Sequence, residues 1–487
     1  MNFFRKYIYF KIAVTIYIVA IMLFLNVTVS YSQKVTISEP VTSRNDISME
    51  MINIKEKPLL LRMKNESLLI NVFNEDLTNV VEKEVGFEKK NFDIIATSFN
   101  DSKFLVFYKY GQKSEQILRS ALFDKNGNKI DSTELYRFSS FTDYNDFKSV
   151  QSEDKSKIVL FRTLDNDEID FLLFDNFGFK ILYRKRLQFK DLNIDTDFKK
   201  IAVSNDGQVF VFFQKIPGLF NRNQNKIVLH KIASDQGTTL TKDLLVDFYF
   251  DSFKFTYDNV NDNIIVSGVR SKLFQNKFEG TFILKLDNDL NVKLLKNSNF
   301  SQSLLQNYYS KKNSKAKKYI NNIKVKDLIL RNDGGFVMLL ESVEIITRQS
   351  NPEARMLSAS YVGSTDNIYG EVIAISFHDD GTEFWNQVIS KEQISTNDRG
   401  IYSSVGLMKN PGNLRIIYND DIKNETQVVM YSVNPLGSLK RLSLFNTEMY
   451  DLNLMLRESI QISSDKILIP SLFNDKIKLV LLDLEKL

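Results

Sequence analysis

Short apolar runs alternate with turn-forming residues along this chain, in a pattern that recurs roughly every 50 residues. Seven times an apolar run leads into a turn such as Asn205-Asp206-Gly207, and a strand, a hairpin and a second strand follow. An eighth, weaker copy lies near the start of the sequence. Because self-similarity with this period is typical of repeat architectures, the pattern predicts the fold before any single residue does.

Each repeat predicts four strands, which we name A to D. In the third repeat they fall near residues 147–150, 158–161, 171–174 and 181–187. Strands B and C are often apolar on both faces, which suits sheets that pack face to face against neighbouring sheets. With almost no long helical pattern, the sequence predicts an all-β fold, a β-propeller of four-stranded antiparallel blades. Separate β-sandwiches are the alternative, but they need no fixed turn period.

The number of blades follows from the B strands. They begin near residues 58, 103, 157, 207, 263, 335, 413 and 466. This predicts eight blades in one domain over residues 33–487, with seven as the alternative because residues 49–73 are the least regular. The last repeat contains only strands A, B and C. We therefore expect residues 34–38 to supply the missing D strand, so that an N-terminal strand pairs with the C-terminal blade and closes the ring.

Strand polarity predicts that one face of the propeller carries the function. The A–B and C–D turns share one face and are uniformly tight, whereas the B–C and D–A connections share the other. Inserts are predicted in the second set, at residues 215–225, 272–279, 299–321 and 344–369. Loops longer than their connection requires are usually functional or disordered, so we expect a binding surface on this face.

Two of these inserts contain the candidate binding residues. The third insert holds a lysine run next to two tyrosines, and the fourth adds two arginines. Such a patch suits phosphate, an acidic glycan or a lipid headgroup, and a solvated mobile loop is the alternative. The candidates are Tyr308, Tyr309, Lys311, Lys312, Lys315, Lys317, Lys318, Arg348 and Arg355.

The N-terminus has the pattern of a secretory signal peptide over residues 1–32. Arg5, Lys6 and Lys11 precede an apolar run at residues 12–27, and Ser30-Tyr31-Ser32 offers small residues for cleavage. An uncleaved anchor is the alternative; with cleavage, no membrane span is expected in the mature chain. We expect export to the periplasm, the outer membrane or the cell surface of a Gram-negative bacterium.

Composition narrows the possible partners. Lys plus Arg number 64 against 60 Asp plus Glu, a net charge of +4, and the signal segment carries three of the basic residues but no acidic one. The balance of the mature chain is thus nearly neutral, which argues against a nucleic-acid partner. The chain has no cysteine, which excludes disulfides and thiol chemistry.

One turn carries a resemblance to known propellers. Residues 378–385, which end in Trp385, resemble the Asp-x-x-Gly-x-x-x-Trp blade signature of quinoprotein-like and other exported bacterial propellers. Trp385 is the sole tryptophan, and the other repeats have different residues at that position. The resemblance therefore implies a propeller blade without implying a quinone, and we expect no cofactor.

Few residues suggest catalysis. Of the two histidines, His230 is predicted in a strand and His378 in a turn, where packing and turn capping explain them. A metal bound by His378 and its neighbouring aspartates is the weaker hypothesis, and no metal site is predicted. Two hypotheses follow. The first is a non-enzymatic binding or scaffold protein that engages a protein or glycan of the cell envelope; the second is a secreted glycan hydrolase or lyase with its site at the central channel.

Overall fold

The structure, a computed structural model, is an eight-bladed β-propeller. It describes residues 33–64, 66–78, 80–89, 91–139, 147–164, 167–216, 225–234, 239–271, 276–313, 317–348, 364–420 and 427–485. Eight antiparallel sheets with the strand order A-B-C-D form a ring, which confirms the predicted fold class and the count of eight over seven. The predicted signal peptide lies outside the described residues.

The first four blades use consecutive strands of the chain. Blade 1 contains β3 (Asp46–Ile54), β4 (Lys57–Lys64), β5 (Ser67–Phe73) and β6 (Val80–Gly86); blade 2 contains β7 (Phe92–Phe99), β8 (Lys103–Gln112), β9 (Glu115–Asp124) and β10 (Lys129–Ser139). Blade 3 contains β11 (Lys148–Gln151), β12 (Lys157–Leu164), β13 (Glu168–Asp175) and β14 (Lys180–Gln188); blade 4 contains β15 (Phe198–Val203), β16 (Val209–Lys215), β17 (Asn225–Ile232) and β18 (Thr239–Val246).

The other four blades carry additional elements. Blade 5 contains β19 (Phe253–Asp258), β20 (Asn263–Arg270), β22 (Gly280–Asp287) and β23 (Val292–Asn299); blade 6 contains β25 (Ile323–Leu330), β26 (Phe336–Arg348), β27 (Ser364–Phe377) and β28 (Glu383–Ile389). Blade 7 contains β30 (Gly406–Asn410), β31 (Asn413–Asn419), β32 (Gln427–Val433) and β33 (Leu439–Asn446); blade 8 contains β34 (Ile460–Gln461), β35 (Lys466–Phe473), β36 (Lys476–Asp483) and β1 (Lys34–Ile37). The remaining elements are β2 (Val41–Thr42), β21 (Lys277–Phe278), β24 (Ile320–Asn321), β29 (Gln393–Thr396), α1 (Ile194–Asp197), α2 (Gln302–Asn313) and 3₁₀ turns at Glu448–Tyr450 and Leu456–Glu458.

The two ends of the chain close the ring, as predicted. Strand β1 pairs antiparallel with β36, and Lys34 lies opposite Asp483. Just beyond β1, the backbone N–H of Ser38 donates to the carbonyl oxygen of Leu479 at 2.9 Å. Because blade 8 obtains its outermost strand from the other end of the chain, the first and last parts of the fold form one sheet.

Apolar side chains from neighbouring blades form the core. Between blades 4 and 5, Phe212 is fully buried, and its ring centroid lies 4.9 Å from that of Phe253. Similar clusters join the other blades, because strands B and C are apolar on both faces. In a chain without cysteine, this interlocking apolar packing is the main stabilising term.

The resemblance noted at Trp385 corresponds to a contact between blades. The indole Nε1–H donates to the carbonyl oxygen of Pro435 at 3.0 Å, in the C–D turn of the next blade. Gly437 lies against the same ring with a φ of +83°, so a Cβ there would approach Trp385 to 2.6 Å. Trp385 therefore joins blade 6 to blade 7.

Candidate functional site

All the long connections of the described chain lie on one face of the ring. The A–B and C–D turns have six residues or fewer, and they define what we call the turn face. The opposite insert face carries the B–C and D–A connections. Strands β26 and β27 extend past the blade on this face, where β29 pairs with residues 366–369 of β27. Residues 390–405 and 447–459 are further long connections of the insert face that the sequence analysis did not identify.

The insert at residues 299–321 contains helix α2, which holds the two candidate tyrosines against the core. Tyr308 and Tyr309 are half-buried and pack with Leu304 and Leu305. The Tyr309 hydroxyl donates to the carbonyl oxygen of Tyr319 at 2.8 Å, and burial raises the pKa of Tyr308 to about 12. Both rings therefore position the insert on blade 6, and their role in ligand binding stays a prediction.

The candidate cations are spread over several environments. Lys317 and Lys318 are exposed, and the ammonium of Lys317 lies 4.3 Å from the centroid of the Tyr309 ring. Arg348, at the end of β26, forms an ion pair with the buried carboxylate of Asp366. Lys311 and Lys312 lie on α2, and Lys315 and Arg355 lie outside the described residues.

A second basic group lies on the insert-face side of the central channel, which the innermost A strands surround. We call it the mouth cluster: Lys200 on β15, Lys254 on β19, Lys326 on β25 and Arg457 in the turn before β34. Strand β19 contacts both β15 and β25, which brings the three lysines together from consecutive blades. Four cations thus converge from blades 4, 5, 6 and 8.

The lysines of the mouth cluster are held by neutral groups. Lys200 Nζ donates to the carbonyl oxygen of Phe253 at 2.7 Å, and Lys326 Nζ donates to the hydroxyl of Ser404 at 2.9 Å. Within the described part of the chain, no carboxylate oxygen lies within 4 Å of the ammonium of Lys200, Lys254 or Lys326. Arg457 Nε lies 3.5 Å from the carboxylate of Glu458, and the carboxylate of Glu341 lies beyond the Ser404 hydroxyl that Lys326 bonds.

The positive charges of the mouth cluster lie close enough together to affect one another's pKa values. Burial lowers the pKa of Lys200, and the charge of Lys254 lowers it further. Burial also lowers the pKa of Lys326; the charge of Glu341 opposes this shift, and the charges of Arg457 and Lys254 add to it. Each ammonium therefore raises the cost of charging its neighbour, and an anion placed between them would relieve that cost.

A buried polar network supports the mouth cluster on the side of blade 6. Lys391 Nζ lies 2.9 Å from the carboxylate of Glu341, and the Ser404 hydroxyl donates to the same carboxylate at 2.6 Å. Ser404 is buried with a φ of 75°, and its N–H donates to the side chain of Gln393. Because Ser404 is enclosed, we assign its hydroxyl to holding Lys326 in place and not to nucleophilic chemistry.

The half of the channel next to the turn face is open, and the described residues that line its larger cavity include no free pair of carboxylates. A cavity of about 870 Å³ is lined there by the A strands of blades 3 to 7. Its acidic residues are engaged: Asp327 pairs with Lys409 at 2.6 Å, Asp333 with Arg331, and Glu153 accepts from Asn259 at 2.9 Å. General acid–base hydrolysis needs two carboxylates that face one substrate, and this cavity does not provide them.

An adjacent cavity of about 530 Å³, beside blades 1, 2 and 8, contains one perturbed acid. The protein atoms around the Glu50 carboxyl raise its pKa, and the hydrogen bond that it accepts from Thr97 opposes this shift. The residue remains exposed on the side that faces the channel. Among the described residues, no group of three His, Asp or Glu side chains is placed to hold a metal ion. Within the same residues, no helix is long and apolar enough to cross a membrane.

The two histidines lie apart from these cavities. His230, on β17, is packed edge-on against Phe189 and bonded to the hydroxyl of Thr241 at 2.8 Å. His378 is exposed in the C–D turn of blade 6, and its ring lies against Phe384. Neither adjoins the mouth cluster, and their roles are packing and turn formation, as the sequence predicted.

Fold and site together define a closed eight-bladed propeller with a basic channel mouth on its insert face. Solved propellers have a similar fold: the β-propeller domain of the Trilobed protease from Pyrococcus furiosus, which has an open velcro topology, is 10% identical with a TM-score of 0.40 over 82% of this chain and 98% of that one. Porphyromonas gingivalis dipeptidyl peptidase 4 is 10% identical, with a TM-score of 0.40 over 90% of this chain and 61% of that one. An oligogalacturonate lyase in complex with manganese is 10% identical, with a TM-score of 0.35 over 76% of this chain and 86% of that one. Likeness at this level bears on the fold alone. No protein-family model and no curated protein matches the sequence.

Proposed function

We propose that this protein is an exported, non-enzymatic binding protein of the bacterial cell envelope, and that it engages its partner through the insert face. The observation that carries the proposal is the one-sided architecture. Every long connection of the described chain departs from the same face, and a cluster of unpaired lysines lies at the centre of that face. Connections that exceed what the fold requires are where binding residues concentrate in rigid scaffolds.

The chemistry of the channel supports binding over catalysis. The described carboxylates of the larger cavity are each held by a cation or an amide. A glycan hydrolase would need a matched acid and base at one point of the channel. The N-terminal pattern supports export, because a basic start, an apolar run and small residues precede the first strand of the ring.

The test is co-sedimentation of purified residues 33–487 with insoluble envelope material from the host. We expect the protein to bind, and we expect Lys317→Glu with Lys318→Glu to weaken that binding without changing the melting temperature. The matched control is Lys125→Glu with Lys440→Glu, two exposed lysines on the turn-face side of blades 2 and 7. Chromatography of the supernatant provides the second readout. Released sugar fragments would instead establish the glycan-processing enzyme, and equal binding by all variants would refute the role of the insert face.

A further inference from the structure

We propose that the insert face binds an acidic polysaccharide, whose anionic groups follow a line of lysines from the insert at residues 299–321 into the mouth cluster. This inference rests on the proposed function and names the class of ligand. The line consists of Lys317 and Lys318 on the insert, Lys324 at the start of β25, and then Lys326, Lys254 and Lys200 in the mouth.

The chain itself makes this line continuous. Residues 317–319 lead directly into β24, which pairs with β21, and β25 begins at Ile323. Lys324 is exposed on the insert-face end of β25, and Lys326 follows two residues later, in the bulge of the β25–β26 pairing. Since β19 and β15 lie next to β25 around the channel, the positive charge continues inward through Lys254 and Lys200. A ligand with several anionic groups along its length matches this arrangement better than a single ion does.

The lysines of the mouth cluster have no directly bonded carboxylate among the described residues. The ammonium of Lys254 has no hydrogen bond or ion pair with any described residue. Lys200 donates to a carbonyl and lies 4.9 Å from the centroid of the Phe253 ring, and Lys326 donates to a hydroxyl. Bringing half-buried ammonium groups together lowers the pKa of two of them, so their charge opposes folding in the absence of a ligand. Carboxylate or sulfate groups would replace the weak neutral contacts with charge-assisted hydrogen bonds.

The position of the cluster favours a slender chain over a flat surface. The three lysines lie on the innermost strands and are half-buried, and the β26–β27 hairpin extends past blade 6 on the same face. A flat bilayer would meet the extended hairpin first, whereas a single polymer chain can pass beside it. The surrounding groups include the hydroxyl of Ser252, beside Val325, and the Tyr369 hydroxyl, which accepts from Arg457 at 3.2 Å. These suit sugar hydroxyls, whereas a peptide would need apolar pockets for its side chains.

The positive charge is also distributed unevenly around the channel. At the position four or five residues before the A–B turn, consecutive blades 3 to 6 have Lys148, Lys200, Lys254 and Lys326. On the opposite side of the ring, blade 1 has Glu50, and blade 8 has Arg457 paired with Glu458. The potential is therefore most favourable for an anion beside blades 3 to 6, and the lysine insert lies between blades 5 and 6 of that same side.

Binding of dextran sulfate to purified residues 33–487, measured by calorimetry, tests the inference. Neutral dextran is the reference for charge, and polyglutamate is the reference for acidic peptides. We expect dextran sulfate to bind, neutral dextran not to bind, and added salt to weaken the interaction. Lys254→Gln should weaken binding about tenfold, the loss expected for one charge-assisted contact. Its melting temperature should be no lower than that of the wild type, because the side chain of Lys254 holds no described neighbour.

Two further variants complete the test. Lys317→Gln with Lys318→Gln should weaken binding of long dextran sulfate and leave a sulfated disaccharide unaffected, because the short probe reaches only the mouth. Lys125→Gln with Lys440→Gln, on the turn-face side, should bind like the wild type. The inference is overturned if Lys254→Gln binds like that control, or if polyglutamate binds as tightly as dextran sulfate. Sulfate-polymer binding without co-sedimentation on envelope material would sink the proposed function and leave this inference standing.

Discussion

Replacing His230 with phenylalanine should remove most of the acid sensitivity of the fold between about pH 7 and pH 5. His230 lies on β17 between Phe189 and Phe213, whose ring centroids are 4.8 and 5.6 Å away. Its Nδ1 is bonded to Thr241, and its buried Nε2 has no described partner. Burial therefore lowers the pKa of His230 from 6.5 to about 4, and the nearby charge of Asp243 only partly opposes this shift.

The size of the effect follows from linkage. The unfolded chain binds a proton at this histidine as the pH falls below about 6.5, whereas the folded protein does so only near pH 4, so acid favours the unfolded state. For these two pKa values the loss of unfolding free energy is about 2 kcal/mol at pH 5 and levels off below pH 4. Solvent at the accessible edge of the ring reduces this, and we expect about 1–2 kcal/mol.

Urea denaturation at several pH values, followed by tryptophan fluorescence, measures the effect. The chain has only two histidines, so few other groups titrate in this range. Wild type should lose stability from pH 7 to pH 5, and His230→Phe should lose about 1–2 kcal/mol less. His378→Phe is the matched control and should behave like the wild type, because His378 is exposed. Equal slopes for wild type and His230→Phe, or an NMR titration of His230 near 6.5, would refute the reasoning.

Three further predictions concern the fold. Gly437→Ala should cost about 2–4 kcal/mol by thermal unfolding, because of its φ of +83° and the approach to Trp385, whereas Gly86→Ala, with no atom within 4 Å, should be near neutral; equal effects would contradict the packing. Phe212→Ala should cost about 3–5 kcal/mol in urea denaturation and Phe177→Ala, in an exposed turn, less than about 1; similar losses for the two variants would contradict the tight packing of Phe212. Removing residues 33–42 should leave the outer edge of β36 unpaired and make blade 8 sensitive to limited proteolysis, and a digestion pattern identical to that of residues 33–487 would show that the closing strand is dispensable.

The turns explain why the fold could be predicted from the sequence. Asp124 caps its turn by accepting from the N–H groups of Asn126 and Asn128, and Asn434 does the same in blade 7. Such caps need particular side chains at fixed offsets, and they therefore leave a periodic trace in the sequence. Small errors arise where the turn extends into the strand: strand B of blade 4 was expected near residue 207 and begins at Val209, because Gly207 and Gln208 belong to the turn.

Helix α2 could not be predicted in the same way. Its sequence is polar along most of its length, and it is held by Tyr308, Tyr309 and two leucines against blade 6, so its stability comes from tertiary contacts that no local pattern reveals. The connections at residues 390–405 and 447–459 were missed for a related reason: they contain short strand and turn motifs that resemble ordinary blade elements.

The mouth cluster was also missed, although a signal for it exists. Lys200, Lys254 and Lys326 are separated by more than 50 residues each and are unremarkable within their own repeats. They become a group only when the residues before successive A–B turns are compared, since A strands are innermost and equivalent positions then lie on one ring. The structure supplied the contact between β15, β19 and β25 that makes this comparison meaningful.

Comparing the equivalent A-strand position in all blades also shows that the fold does not require a lysine there. The backbone is equivalent in all eight blades, and blades 2 and 7 have Ala96 and Gly406 where blades 4 and 5 have Lys200 and Lys254. A small or absent side chain therefore satisfies the architecture, and a half-buried lysine does so only with a lowered pKa. Burial of an unpaired charge opposes folding, and no structural contact of Lys254 offsets it among the described residues. The lysines of blades 4 to 6 are thus better explained by what binds to them than by what they hold together.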